Sequence, residues 1–172
     1  KNLMNYRDKA IFELSYSIGI KPTECINIEL GDVNTNIGYI KYKKKDGYRT
    51  VPLNRECVEA LENYIVELKK EYPEIKDNSK LFLNHDGESI SRQGFWKIFK
   101  KRQQDLGLTK ELNTMNFRNS LAIHLLEDKV PAEEVQELLG LKNIHSLKLY
   151  FSSLEGNKSK RMMMNHPRKT IN

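Results

Sequence analysis

Cysteine is scarce in this sequence, and long apolar runs are missing from it. The two cysteines, Cys25 and Cys57, lie far apart, form no CxxC pair and have no histidine cluster beside them. This spacing argues against a zinc site or a disulfide framework, so we predict no metal site and a reducing cytoplasm. Charged residues interrupt the opening "KNLMNYRDKAIFEL", which argues against a signal peptide, and no apolar segment approaches membrane-spanning length. We therefore predict no membrane partner, and the helical pattern at the first residues suggests a domain of a longer protein.

Positive charge is in modest excess. The 172 residues include 29 Lys and Arg against 23 Asp and Glu, a net charge of +6, and 38% of the residues are hydrophobic. That apolar fraction suffices for one packed core at this length. The positive excess favours a polyanionic partner such as nucleic acid, although many basic proteins bind none.

The spacing of apolar residues predicts helices with one small sheet. A first helix ends at Gly19, and a second restarts in "KPTECINIEL" with Pro22 in its first turn. The stretches "IGYIKYKK" and "YRTVPL" alternate like strands around Asp46 and Gly47, which predicts a β-hairpin. Further helices are predicted over residues 55–70, 91–107, 113–127, 131–139 and 145–150, and a short strand at "KLFLN". This order indicates the α+β class, mainly helical with a small antiparallel sheet.

Four segments in this order resemble landmarks of the tyrosine recombinase catalytic domain, the phage integrase and Xer-type family. They are "RDKAIFELSYSIGIKPTE", "YRTVPL", "SRQGFWKIFKK" and "LLGLKNIHSLKLY"; the first ends like the family's "TGLRxSE", the second is similar to "xRxVPL", and the last to "LLGHxxxxTTxxY". The resemblance implies a catalytic domain over residues 1–153, a basic tail over 154–172, and a missing N-terminal DNA-binding domain. In many assemblies of this family the segment after the tyrosine docks on a neighbouring protomer, and the alternative for this tail is a frayed basic end.

The chemistry of that family explains its residue types. A phosphodiester repels an attacking phenolate, so guanidinium groups must neutralise the non-bridging oxygens, which they match in bidentate geometry. The tyrosine must lose its proton, and the departing 5′ oxygen must receive one. The resulting 3′-phosphotyrosyl bond conserves energy for rejoining, so the resemblance implies no cofactor and no metal.

Carried over position by position, the resemblance places the nucleophile at Tyr150, the second arginine at Arg118 and the hairpin lysine at Lys44. Because the residues of a strand alternate between its faces, a hairpin slipped by one residue would instead turn Lys43 or Lys45 inwards. A lone arginine on an ordinary helix is usually solvated or paired. Within this resemblance, Arg118 is predicted to bind the phosphate.

Three of the six family positions depart from the pattern. Lys21 stands where the first arginine is expected, Met115 where a histidine precedes Arg118 by three residues, and Leu141 where a histidine follows "LLG". Lysine keeps the charge without the planar fork, and Met and Leu can neither carry a proton nor donate a hydrogen bond to phosphate. We therefore expect cleavage to be weakened.

Other residues are weaker candidates. His145 is a possible surrogate for a lost histidine, and Asn116, next to the Met115 position, is a poorer one because the alignment there has no gap. His124 is better explained by helix packing. At the DNA backbone we predict Arg92, with Lys43 and Lys45 from the hairpin, because such contacts position a protein on a duplex without specifying sequence.

The resemblance implies a DNA-binding recombinase or integrase of a phage or other mobile element, acting on double-stranded DNA in the cytoplasm at the nucleoid. Recombination of this kind pairs two duplexes through four subunits, so we expect a tetramer on DNA. The alternative is a catalytically inactive relative that binds recombination sites or regulates a partner recombinase. A helical transcription regulator of other ancestry would need a compact helix-turn-helix, in which the hairpin has no role.

Overall fold

A computed structural model describes residues 3–44, 47–109, 111, 113–147 and 150. In chain order the elements are α1 (Leu3–Ile18), α2 (Pro22–Cys25), β1 (Val33–Asn34), β2 (Tyr39–Lys44), β3 (Gly47–Pro52), α3 (Arg55–Glu71), α4 (Arg92–Asp105), α5 (Thr114–Glu127) and α6 (Ala132–Leu139), with 3-10 turns at Leu30–Asp32 and Ile144–Leu147. The predicted α+β class is confirmed. Within the described ranges, every helix falls short of the length and apolarity that a bilayer span requires.

The chain forms two compact units, whose boundary lies inside α5. The first unit is Lys1–Arg118 and the second is Asn119–Asn172. The tail over 154–172 lies outside the described residues, and its separation from a catalytic domain over 1–153 stays a prediction.

Helices α1 and α3 pack together to form the centre of the first unit. The buried face of α1 presents Ala10, Ile11, Leu14 and Ile18, at the spacing of one helical stripe. Gly19 follows with φ of 60°, a left-handed conformation that glycine adopts without steric cost, and this confirms the predicted end of the helix.

The sheet is antiparallel in the order β1-β2-β3. The predicted hairpin is confirmed, with Tyr42 opposite Arg49 and Lys44 opposite Gly47. Ile40 and Tyr42 are buried on its inner face. Of the two turn residues, Asp46 lies outside the described part of the chain.

Two sequence predictions were wrong in extent or type. The helix predicted in "KPTECINIEL" ends at Cys25. Local turns follow it, and the backbone then bonds to a distant segment, with Leu81 N donating to Ile28 O and Leu30 N donating to Ser79 O, both at 2.9 Å. The segment "KLFLN" makes two isolated bridges rather than a strand. Two adjacent residues of this segment, Leu81 and Phe82, are both fully buried. In a strand with one solvent-exposed face, adjacent residues would alternate between buried and exposed.

The second unit has a small core of its own. Its buried members are Leu121, Ala122, Val135, Leu139 and Leu147. Helix α6 ends at Gly140, again with φ of 60°, and the following amide, Leu141 N, donates to Gln136 O at 3.0 Å. This Schellman-type closure fixes the direction of the chain as it leaves the helix towards Tyr150.

Candidate active site

Arg118 is buried in the first turns of α5. The start of this helix is closed by a reciprocal pair in which Asn116 N donates to Asn113 Oδ1 at 3.0 Å and Asn113 N donates to Asn116 Oδ1 at 2.9 Å. Phe117 packs on Phe99, with ring centroids 5.8 Å apart. Arg118 Nη1 donates to the carbonyl oxygen of Gly19 at 2.6 Å. The guanidinium is therefore anchored at the carboxyl end of α1, where helix carbonyls lack helical partners.

Lys44 faces inwards at the end of β2. It shares the inner face with Ile40 and Tyr42, because alternate strand residues point the same way, and its side chain is 23% exposed. Lys43 is exposed and lies on the other face of the strand. Lys45 lies outside the described residues. Among the hairpin lysines that the structure describes at this end, Lys44 is the one directed at the interior.

Three residues predicted from the sequence, Lys44, Arg118 and Lys21, all lie in the first unit, and their charges interact at Lys44. Burial lowers the pKa of Lys44, and the positive charges of Arg118, Lys21 and Arg49 lower it further, while the carboxylate of Glu24 raises it. A lowered pKa makes the ammonium a readier proton donor. The positive charges of Arg118 and Lys21 thus both act on the ammonium group of Lys44.

Glu24 was not among the residues predicted from the sequence. Its Oε1 lies 3.8 Å from Lys44 Nζ, and its Oε2 accepts a hydrogen bond from Lys21 N at 3.0 Å. The same carboxylate therefore closes the start of α2 and faces the hairpin lysine. Its position three residues after Lys21 signals the helix cap, whereas its contact with Lys44 joins distant parts of the chain.

Arg49 and Tyr42 were also missed, although strand alternation places both on the face of Lys44. Tyr42 is buried, and Lys44 Nζ lies 5.8 Å from the centre of its ring. Burial raises the pKa of the Tyr42 phenol, against the opposing charges of Arg49 and Arg118 and a side-chain hydrogen bond with Arg49. Tyr42 is therefore a buried phenol on which both Arg49 and Arg118 act.

Of the altered family positions, Met115 lies in the first unit on α5, and 57% of it is exposed. Lys21 is exposed as well. Asn116, the weaker surrogate, uses its side-chain oxygen for the helix cap, so it is committed to the backbone rather than turned towards a ligand.

The second unit carries the remaining predicted residues. Leu141 and Tyr150 are partly buried and pack against the core of this unit. His145 lies in the turn Ile144–Leu147 and is exposed, and His124 is exposed on α5. Tyr150 is thus a partly buried aromatic residue, and Leu141 is an aliphatic packing residue.

The candidate DNA contacts lie on exposed surface. Arg92 is the first residue of α4, whose N-cap Ser91 accepts a hydrogen bond from Gly94 N at 3.0 Å. On the outer face of the hairpin, Lys41 Nζ lies 4.5 Å from the centre of the Tyr48 ring. These side chains are open to a polyanion, but their exposure alone does not distinguish a DNA contact from an ordinary charged surface.

Comparison with known proteins adds independent findings. Residues 1–156 match the model of the phage integrase family. Tyrosine recombinase XerD of Listeria monocytogenes serotype 4b (strain F2365) is 35% identical over 149 residues, which make up 86% of this chain and 50% of that protein. XerD of Staphylococcus epidermidis (strain ATCC 12228 / FDA PCI 1200) is 35% identical over 164 residues, 95% of this chain and 56% of its own. The chain spans about half the length of these curated relatives.

Solved structures share the fold at lower sequence identity. XerA recombinase superposes with a TM-score of 0.80 at 20% identity, covering 96% of this chain and 60% of that one. XerH site-specific recombinase, in a post-cleavage complex with palindromic difH substrate, gives a TM-score of 0.76 at 22% identity, covering 94% of this chain and 46% of its own.

Proposed function

The chain belongs to the phage integrase family, and from this premise we propose that it is the catalytic domain of a site-specific recombinase that cuts and rejoins double-stranded DNA. The observation that carries the proposal is the electrostatic neighbourhood of Lys44, where Arg118 and Lys21 act on the inward-facing ammonium. Three cations so placed suit one phosphodiester, whose oxygens need charge neutralisation before a phenolate can approach. Such a domain works on cellular DNA, at the nucleoid.

In the proposed reaction Tyr150 is the nucleophile. Its phenol loses a proton to solvent, and the phenolate oxygen attacks phosphorus while the bond from phosphorus to the 5′ oxygen breaks. Lys44 gives a proton to that departing oxygen, and Arg118 with Lys21 holds the non-bridging oxygens. A 5′ hydroxyl later attacks phosphorus, gives its proton to Lys44 and displaces the phenolate of Tyr150, which takes up a proton from solvent; this restores the phosphodiester.

The altered positions predict that this cleavage is slow. Met115 and Leu141 cannot take the phenol proton or donate to a phosphate oxygen, and Lys21 offers a point charge where a fork is expected. Losing one proton-transfer group typically costs about 100-fold or more in rate. His145 is exposed in the same unit as Tyr150 and is the proposed surrogate, so His145→Ala should slow adduct formation further, while His124→Ala should not.

A covalent-adduct experiment tests the proposal. The full chain is first used to select bound duplexes from a random-sequence pool, and these duplexes are then nicked so that the 5′ hydroxyl product diffuses away after cleavage. We expect a protein–DNA adduct that survives denaturing electrophoresis, and we expect Tyr150→Phe to bind the same duplexes without forming it. Tyr39→Phe, which removes the hydroxyl of an exposed strand residue, is the matched control and should react like the unaltered chain.

The second candidate function is a DNA-binding relative that has lost strand cleavage. The packing of Leu141 against the core of the second unit favours it, because that position has been adapted to packing. Tight and selective DNA binding without any adduct, at long incubation and with every selected duplex, would establish this alternative and exclude the first.

We also infer that an active form pairs two duplexes through four protomers, and that the basic tail over 154–172 contributes to this association. Analytical ultracentrifugation of the full chain with a selected duplex tests both parts. The expected result is a four-protomer complex that is lost on deleting residues 154–172, while a one-to-one complex with or without the tail contradicts the inference.

A further inference from the structure

Arg49 lies on the inner face of the hairpin, and the proposed cleavage reaction does not use it. It pairs with Tyr42 across β2 and β3, and Lys44 lies two residues further along β2. Residues two apart on a strand share a face, so Lys44 and Arg49 are diagonal neighbours, within reach of long side chains. The positive charge of Arg49 is also among the causes that lower the pKa of Lys44.

The guanidinium of Arg49 is only partly satisfied by the protein. It shares a side-chain hydrogen bond with the phenol of Tyr42, whereas its Nη1 is shielded from solvent and has no hydrogen-bond partner. A covered donor without an acceptor is unfavourable, and more so on a charged group. Rotation of the guanidinium towards an arriving anion would therefore break no hydrogen bond at Nη1 and would form one.

The surrounding charges favour an anion at this place. Among the charges that act on Lys44, those of Arg49, Arg118 and Lys21 are positive and that of Glu24 is negative. Arg49 and Arg118 also both act on the phenol of Tyr42, so the two guanidinium groups share one partly buried environment. Like charges held there repel one another until an anion is bound.

We propose that Arg49 is a phosphate-binding residue, whose guanidinium turns Nη1 to a non-bridging oxygen of the scissile phosphodiester. It supplies the forked donor that Lys21 cannot, since an ammonium provides charge without bidentate geometry. Arg118 and Arg49 are then the two guanidinium groups of the site, with Lys21 as an accessory charge. The identity of the anion rests on the proposed function.

The salt dependence of DNA binding tests this role without requiring cleavage. Dissociation constants of the full chain for a selected duplex are measured at several KCl concentrations. Removing one phosphate contact in Arg49→Met should weaken binding and reduce the slope of log K against log salt by about 0.9. Arg49→Lys should restore the slope, because it restores the charge. Arg55→Met, which removes an exposed arginine from the start of α3, is the matched control and should bind like the unaltered chain.

A slope in Arg49→Met equal to that of the unaltered chain overturns the proposal. Because Arg49 also contacts the buried Tyr42, a thermal melt checks that the variant is folded. Arg49→Gln, which keeps an N–H donor for the Tyr42 hydroxyl, takes its place if the methionine variant is not. A chain that binds DNA with the expected slopes and yet forms no adduct keeps the Arg49 contact while excluding the proposed cleavage.

A substrate with a neutral scissile phosphate tests whether Arg49 acts on the charge of that phosphate. On a nicked phosphodiester, Arg49→Met should slow adduct formation by about 100-fold. A methylphosphonate at the scissile position lacks the oxygen charge, so the same substitution should there cost only a few-fold. An equal loss on both substrates contradicts a phosphate contact. Relief by a 5′-bridging phosphorothiolate, whose leaving group needs no proton, would instead assign Arg49 to the positioning of Lys44.

Discussion

The two units differ in what stands at the positions where the family pattern is broken. In the first unit, Lys21 is one of the positive charges that lower the pKa of Lys44, and 57% of Met115 is exposed. In the second unit, Leu141 and Tyr150 both pack against an aliphatic core. The altered positions of the first unit are therefore both exposed, while the altered position of the second unit is an aliphatic packing residue.

This difference separates two tasks that a strand-transfer site must combine. Charge neutralisation depends on cations held in place, and in the first unit they are held by Gly19 and Glu24. Proton transfer depends on polar groups near the phenol, and under the proposed function Met115 and Leu141 cannot supply them. Under the proposed function, binding of DNA should therefore be less affected than cleavage.

The largest effect is expected from Arg118→Met. Cleavage should fall by about 1000-fold, because a guanidinium at the transition state is lost. The free energy of unfolding should also fall by about 2 kcal/mol, because the buried carbonyl of Gly19 loses its charged donor. Adduct formation and urea denaturation measure the two effects. Arg102→Met, at an exposed arginine of α4, should change neither, and unaltered stability in Arg118→Met would show that the contact with Gly19 contributes little.

Restoring histidine at Met115 and Leu141 should speed cleavage, and it should lower the stability of the two units to different extents. Met115→His and Leu141→His should each raise the rate of adduct formation by about 100-fold, the scale of one proton-transfer group. Met115 is exposed, so its replacement should leave stability nearly unchanged. Leu141 packs on the second core, so its replacement should cost about 1 kcal/mol. Single-turnover assays and urea denaturation measure these values; rates that do not rise in either variant contradict the roles assigned to the two positions.

A smaller effect concerns the acidity of Lys44. Its ammonium form is present below its pKa and is lost as the pH rises through it, and burial lowers that pKa below the ordinary value of about 10.4. Glu24→Gln removes the charge that raises the pKa, so the midpoint should move to lower pH. Arg49→Met removes a charge that lowers it, so the midpoint should move to higher pH. Titration of the ¹³C-labelled lysine ε-methylene, assigned with Lys44→Arg, measures both shifts, and a common direction would contradict the charge arrangement.

The hairpin shows how much of the candidate site can be predicted from strand alternation in the sequence. Alternation in "IGYIKYKK" predicted the strand, while the family resemblance selected Lys44 and left Lys43 or Lys45 as alternatives; the observed register places Lys44 on the face of Ile40 and Tyr42. The same reasoning would have identified Arg49, had the pairing of Tyr42 with Arg49 been fixed in advance. That pairing depends on the length of the turn, and a slip by one residue reverses every face.

Other parts of the site depend on contacts between distant segments, which local patterns do not contain. The acceptor of Arg118 is the carbonyl of Gly19, and the partner of Lys44 is a carboxylate in the cap of α2. The wrongly predicted strand "KLFLN" has the same origin. Its backbone forms single hydrogen bonds to separate segments instead of a strand ladder; Leu81 N, for example, donates to Ile28 O at 2.9 Å. The apolar run therefore reflects burial of this segment rather than a place in a sheet.

The smallest effect is expected at two glycines that share one backbone conformation, one in each unit. Gly107 follows α4 in the first unit and Gly140 follows α6 in the second, both with φ of 60°. A side chain in this left-handed conformation costs about 1 kcal/mol, so Gly107→Ala and Gly140→Ala should each lower the free energy of unfolding by about that amount in urea denaturation. Because Gly140 also sets the path from α6 towards Tyr150, Gly140→Ala should slow adduct formation while Gly107→Ala should not. Equal adduct rates in the two variants would show that Tyr150 is positioned independently of the end of α6.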